Sequence, residues 1–142
     1  MFKKIISGIF VILVIWLIIE FQISTNVPID YGESSIYSKK DMDKAINKLK
    51  WYYFIGYEIQ GCELHNIRYS SDEENNNSNI AWANEVKNSN SSYSQCIMFY
   101  TDFHSPVKGA GGSWIVDSEY ENYQWWFAKT DNGIWELISM GY

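Results

Sequence analysis

Residues 120–142, YENYQWWFAKTDNGIWELISMGY, decide how this chain folds. Two aromatic-rich runs, 120–129 and 134–140, flank Thr130-Asp131-Asn132-Gly133. Asn-Gly supplies two residues that tolerate positive φ, which a two-residue hairpin turn requires. The runs are therefore predicted to be antiparallel strands, with positive φ at both Asn132 and Gly133. In the second run Ile134, Glu136 and Ile138 alternate with Trp135, Leu137 and Ser139, so neither face is uniformly polar. Such a sheet is covered on one side and partly occluded on the other. Trp125 and Trp126 are strand neighbours and must point to opposite faces.

Working back from this hairpin, residues 94–103 (SQCIMFYTDF) have the apolar and aromatic content of a buried strand, and 62–70 (CELHNIRYS) read as the first strand. Between them lie an acidic, asparagine-rich loop at 72–79 and a short helix at 80–86, with apolar residues at 80, 83 and 86 and Trp82 beside them. Residues 104–118, with Pro106 and the run GAGGS at 109–113, read as a long loop. Before the first strand, Met42, Ala45, Ile46, Leu49, Tyr52 and Tyr53 recur at helical spacing, with lysines, Asp43 and Asn47 opposite. Ser38 is the predicted N-cap, Asp41 suits the first turn, and Gly56 ends the helix. A leading helix followed by antiparallel strands is an α+β arrangement.

The remaining N-terminal stretch is of a different kind. Lys3 and Lys4 precede fifteen uncharged residues, 5–19, which span only ~22 Å as a helix. Extension through Glu20 to Ile23 gives ~28 Å, close to the hydrocarbon thickness, with Glu20 at the far interface. Residues 1–24 are thus expected to be a signal anchor, touching the membrane through 5–23. The alternative is a cleaved signal peptide and a secreted domain. The flank Ile23-Ser24-Thr25 lacks the small residues a cleavage site wants, and no cysteine follows for lipidation. Lys3 and Lys4 put the N-terminus in the cytoplasm and the C-terminal domain outside. Residues 25–37, with Pro28 and Gly32, read as an extended, mobile linker, and 38–142 as the folded domain.

With 142 residues and 16.6 kDa the chain holds one domain at most, and 46% hydrophobic content is enough for a core. Two prolines and nine glycines exclude collagen-like and proline-rich disordered classes. A net charge of −6 argues against a nucleic-acid partner.

The segment from 38 to 142 resembles the small NTF2-like (cystatin-like cone) domains found behind a signal or lipid anchor in Gram-positive bacteria. The features that carry this are the helix from Ser38, the stretch GCELHNIRYSSDE at 61–73 and, most specifically, the C-terminal YENYQWWFAKTDNGIWELISMGY. The resemblance implies a cone of helix on curved sheet and an envelope location. It transfers no catalytic residues.

Candidate chemistry is sparse. His65 and His104 are 39 residues apart without metal-ligand spacing, so no metal is expected, and no cofactor motif exists. The run at 109–113 lacks phosphate-loop spacing. Cys62 and Cys96 are candidates for a disulfide closing a loop of about 34 residues, against the alternative of two buried thiols. Tyr100 and Asp102 share a strand face, and an Asp102 buried beside Tyr100, or His65, could serve a pocket enzyme of isomerase or hydrolase type. The aromatics Trp114, Tyr123, Trp125 and Trp126 are the binding candidates, because ring faces stack on sugars or on apolar side chains of a partner. The favoured expectation is a non-catalytic domain that binds a small ligand or cell-envelope protein, with the enzyme as the alternative. Oligomeric state is not encoded in any pattern here.

Overall fold

A computed structural model describes residues 2–56, 58–59, 61–86, 90–108 and 114–142. The GAGGS run at 109–113 lies outside the described residues. Among them, three helices and a five-stranded curled sheet form a mixed α+β structure in the order α1 (Phe2–Thr25), β1 (Ile29–Asp30), α2 (Lys39–Ile55), β2 (Glu63–Tyr69), a 3-10 turn (Asp72–Glu74), α3 (Asn77–Val86), β3 (Tyr93–His104), β4 (Glu119–Thr130) and β5 (Trp135–Gly141). The strands follow chain order across the sheet, with only β1 parallel to its neighbour. Bulges between Leu64 and Asn66, Thr101 and Phe103, and Trp126 and Phe127 add local twist.

α2 forms as its sequence dictates. The Ser38 side chain accepts a hydrogen bond from the Asp41 amide at 3.2 Å. Met42, Ala45, Ile46, Leu49 and Tyr53 form the stripe buried against the sheet. Lys129 of β4 ties Asp41 at 2.8 Å, fixing the helix's first turn over the sheet. Gly56 ends the helix at φ −71°, so its role is not left-handed geometry. A Cβ there would lie 2.4 Å from the Tyr52 carbonyl oxygen, which only glycine avoids.

The β4–β5 hairpin pairs as expected, with Lys129 opposite Trp135, but its turn differs. Gly133 alone has positive φ, at +79°; Asn132 does not. The Gly133 amide donates to Thr130 O at 2.8 Å, and the Thr130 amide donates to Ile134 O at 2.9 Å. That pattern is a three-residue loop, in which a type I turn is followed by a left-handed glycine and a bulge. The extra residue lets Asn132 keep an ordinary conformation.

The expected mobile linker is part of the domain instead. Thr25 is buried, Tyr37 sits in the core, and Val27, Ile29 and Tyr31 pack against it. β1 pairs with β2, and Ser34 and Ser35 both bond the Asp72 carboxylate. Apolar residues at 27, 29 and 31 already alternate, so a short edge strand is visible in the sequence once Pro28 is read as marking an edge.

Cys62 and Cys96 are free thiols, not a bridge. Glu63 pairs with His104, and Cys96 lies eight residues before His104 in β3. At ~3.3 Å per residue the two cysteines are separated by ~26 Å, far beyond disulfide reach. Burial pushes each thiol up to about 11.

Candidate functional site

Strand alternation divides the sheet into two unlike faces. The inner face, under α2, carries Ile67, Phe99, Phe103, Trp125 and Phe127, all fully buried with Ile46 and Leu49 of the helix. Thr101 lies among them. It accepts the Trp125 indole N–H at 3.0 Å and shares a 2.7 Å hydrogen bond with the Tyr53 hydroxyl. Trp125 and its aromatic neighbours occupy this interior, and its polar atoms at Thr101 are satisfied from within.

The outer face begins with a second small cluster. Ala83 of α3 packs on Tyr93, Cys96 and Ala128, with Ile80 and Ile138 alongside. α3 has only ten residues, so it covers one end of this face and leaves the rest half-open. Past it runs a groove of about 340 Å³, lined by Asn79 and Trp82 of α3, Gln124 and Trp126 of β4, and Ser139 to Tyr142 at the end of β5. Ligand sites begin at roughly this size, ~300 Å³. The Trp82 and Trp126 rings meet edge to face at 5.6 Å, and the Trp126 indole N–H donates to Gln124 Oε1 at 3.0 Å. The indole is thereby fixed, with part of its ring open. The side chains that line this groove are uncharged.

Beside the groove lies a polar cluster. Asp102 receives two bonds from Arg68, at 2.5 and 3.0 Å, and one each from the Asn66 side chain and the Asn122 amide, both at 2.8 Å. Arg68 also donates to Asn122 Oδ1 at 2.8 Å. Asn122 holds φ +59°, which its short polar side chain tolerates. The Arg68 guanidinium above all, with the Asn122 and Asn66 donors, holds the Asp102 carboxyl down at about 2, burial opposing. It is a weak base, saturated with donors. Tyr100 is half-buried on the same face.

At the rim where β2, β3 and β4 meet, His104 bonds Glu119 at 2.7 Å and Asp117 at 2.9 Å, and His65 lies 3.5 Å from Glu119. Hydrogen bonds to Asp117 and Glu119 raise the His104 pKa. Among the described residues no group of three or more His, Cys, Asp or Glu is placed to hold a metal ion.

The structure therefore separates the residues the sequence singled out. Trp125 and Tyr123 are core. Trp114 is half-buried on the inner side, with its ring 5.1 Å from Phe103 and 5.4 Å from Tyr123, and its indole N–H donates to the Glu58 carbonyl. Trp126 alone of the four reaches the outer face. Asp102 and His65 are on that face too, outside any apolar cavity. Trp82, Gln124 and Arg68 were not singled out by sequence reasoning. The helical stripe 80/83/86 leaves Trp82 to one side, which was the available signal; its meeting with Trp126 depends on strand register.

No protein-family model, curated protein or solved structure matches this chain. One N-terminal helix, Ile6–Thr25 in its apolar part, is long and apolar enough to cross a membrane or to serve as a signal sequence.

Proposed function

We propose that the chain is a membrane-anchored, non-catalytic binding domain that takes its ligand in the Trp82–Trp126 groove. The observation that carries this is Trp126. A large apolar ring is held rigidly on the face away from the core, beside a second tryptophan, in a recess of uncharged side chains edged with two amides and two hydroxyls. Ring faces with amide donors and acceptors around them suit a sugar ring of an envelope glycan, or an apolar side chain presented by an envelope protein. Uncharged lining side chains favour the glycan, since none of them selects a charged partner.

In this proposal α1 stays uncleaved and the lysines at its start face the cytoplasm, so the groove lies outside the cell. The NTF2-like reading rests on one long helix laid across a curled antiparallel sheet. The cone interior that would house an enzyme's pocket is here occupied by Trp125 and its neighbours, and Asp102 is tied to Arg68. Both observations favour binding over the alternative small-molecule enzyme.

The test is a titration of the full chain in detergent with neutral N-acetylated cell-wall oligosaccharides, followed through the indole N–H resonances. Selective shifts at Trp82 and Trp126 that vanish in Trp126→Ala are the expected result. Shifts at neither indole across the series overturn the glycan assignment, and shifts that persist in Trp126→Ala overturn the groove as the site.

A further inference from the structure

Exposed apolar side chains outside α1 are not evenly spread. Ile36, Val86 and Ile134 stand singly at the end of the sheet where β3 begins. At the opposite end lie Trp51 (47% exposed), Tyr52 (37%) and Ile55 (63%) in the C-terminal part of α2, Val107 (70%), Ile115 (70%) and Val116 (52%) on the described arms of the β3–β4 connection, and Tyr142 (72%) past β5, its ring 5.3 Å from Tyr123. These two arms are tied to the end of α2. Trp114 packs on Phe103 and donates to the Glu58 carbonyl just past the helix, and the Phe103 ring lies 5.8 Å from Tyr53.

α1 leaves the domain from this same pole. Its Phe21 stacks on Trp51 at 4.3 Å and meets Phe54 edge-on at 5.5 Å, and Ser24 and Thr25 line a cleft of about 330 Å³ together with Tyr53, Phe54, Gly61 and Cys62. The uncharged run of α1 ends at Ile19, and Phe21 is only ~3 Å of helical rise beyond it. Trp51 touches Phe21, so it stands at the level where the apolar run ends. With residues 25–37 packed into the domain, no spacer separates that level from the pole.

We infer that this pole is a membrane-docking surface, with Trp51, Ile55, Val107, Ile115 and Val116 seated in the headgroup-to-acyl boundary of the bilayer that α1 spans. The inference rests on α1 being an inserted anchor and is independent of what the groove binds. Five apolar side chains around the exit of an apolar helix match the interfacial belt that aromatic and aliphatic residues form beside membrane spans. The charges at this pole are Glu20, Glu58, Glu63, Asp117 and Glu119 against Lys50 and Lys108, with Asp117 and Glu119 turned to His104 and His65. That balance offers anionic lipid no attraction. The fit is to a zwitterionic surface through apolar insertion, and it is insensitive to salt. The strands then stand roughly upright on the membrane, and the groove opens sideways along it.

The experiment places an environment-sensitive fluorophore on single introduced cysteines in the full chain, reconstituted in phosphatidylcholine nanodiscs carrying a nitroxide near the headgroup end of the acyl chain. The unsubstituted chain, treated in parallel, gives the background from Cys62 and Cys96, which is subtracted. The sites are Val107→Cys and Val116→Cys at the pole, Ile12→Cys in the anchor and Asp131→Cys at the far hairpin. Labels at 107 and 116 are expected to be quenched at least about threefold more than at 131, equally at low and high salt. Quenching at 12 with 107 and 116 no different from 131 overturns the docking surface and leaves the anchor standing. Four labels alike overturn the anchor and the docking surface together. Quenching at 107 and 116 that high salt abolishes also overturns the inference, because the attachment is then electrostatic.

Discussion

Adjacent tryptophans on opposite faces of one strand allow stability and binding to be separated by two substitutions. Trp125 is fully buried, with the rings of Tyr53, Tyr123 and Tyr52 at 5.4, 5.9 and 6.0 Å, and its N–H is spent on Thr101. Trp125→Ala empties a closed site that these rings cannot collapse to fill, so the expected cost is about 4 kcal/mol. Trp126 is half-buried against Trp82, and its removal enlarges a groove already open to water. Only the transfer of the shielded part of the ring is lost, about 2 kcal/mol. At ~4 °C per kcal/mol for a domain of roughly a hundred residues, the melting temperature falls by ~16 °C in the first variant and ~8 °C in the second. Ligand affinity is expected to move the other way. Trp126→Ala weakens a glycan in the groove by about 2 kcal/mol, roughly thirtyfold, while Trp125→Ala leaves it unchanged below its melting point. Calorimetric melts of full chain in detergent and the indole titration read the two effects. Equal losses of stability with unchanged affinity would show that both faces are core and refute the assignment of Trp126 to a binding surface.

Three further outcomes follow from local geometry. Gly133→Val forces a β-branched residue to φ +79° and should cost about 1–2 kcal/mol by chemical denaturation, whereas Asn132→Ala should cost under about 0.5, since a two-residue turn would make both severe. Asp102 is held at about 2 in the folded chain, below the ordinary carboxyl range of ~4, so its contribution is complete above pH ~4 and is lost as pH falls through about 2; the denaturation midpoint of Asp102→Asn should fall less steeply over that window, with Asp72, also lowered by its hydroxyl donors, sustaining the remaining slope. A chain beginning at Ser38 loses β1 and the packing of Val27, Ile29, Tyr31 and Tyr37, and should melt well below one beginning at Thr25; equal melting temperatures would show that 25–37 is a tether after all.

What the sequence made legible was whatever depends on near neighbours. The α2 stripe, its Ser38 cap, the four strands β2 to β5 and the β4–β5 pairing all follow from spacing within a dozen residues, and the structure has them in place. Register is a long-range property and was not legible. Whether Cys62 faces Cys96 depends on Glu63 pairing with His104, which only the assembled sheet fixes. Asp102 illustrates the same limit. Alternation puts it on a face with Tyr100, but its partner Arg68 sits 34 positions away in β2, so a base candidate and a saturated ion pair look identical in sequence. The turn was misjudged for a different reason. Asn-Gly satisfies both a two-residue loop and the last two positions of a three-residue loop, and the closing Thr130–Ile134 pair, not the dipeptide, selects between them.

The second face of the sheet shows how partial cover creates a site. A sheet with one helix has a free face that must be polar or be covered. Here α3 is too short to finish the task. It reaches Ala83 to Cys96 and Ala128, small side chains that allow close approach, and its flank then places Trp82 against Trp126. Had α3 extended one more turn over β4, Trp126 would be core like Trp125, and the two substitutions would cost the same. Had Trp126 been serine, the outer face would be plain solvated sheet. Keeping a tryptophan where cover stops costs exposed apolar surface, and the indole is held by Gln124 so that its orientation is not lost to rotation. A surface ring that is both uncovered and orientationally fixed is suited to stacking, since the entropy of ordering it has already been spent in folding.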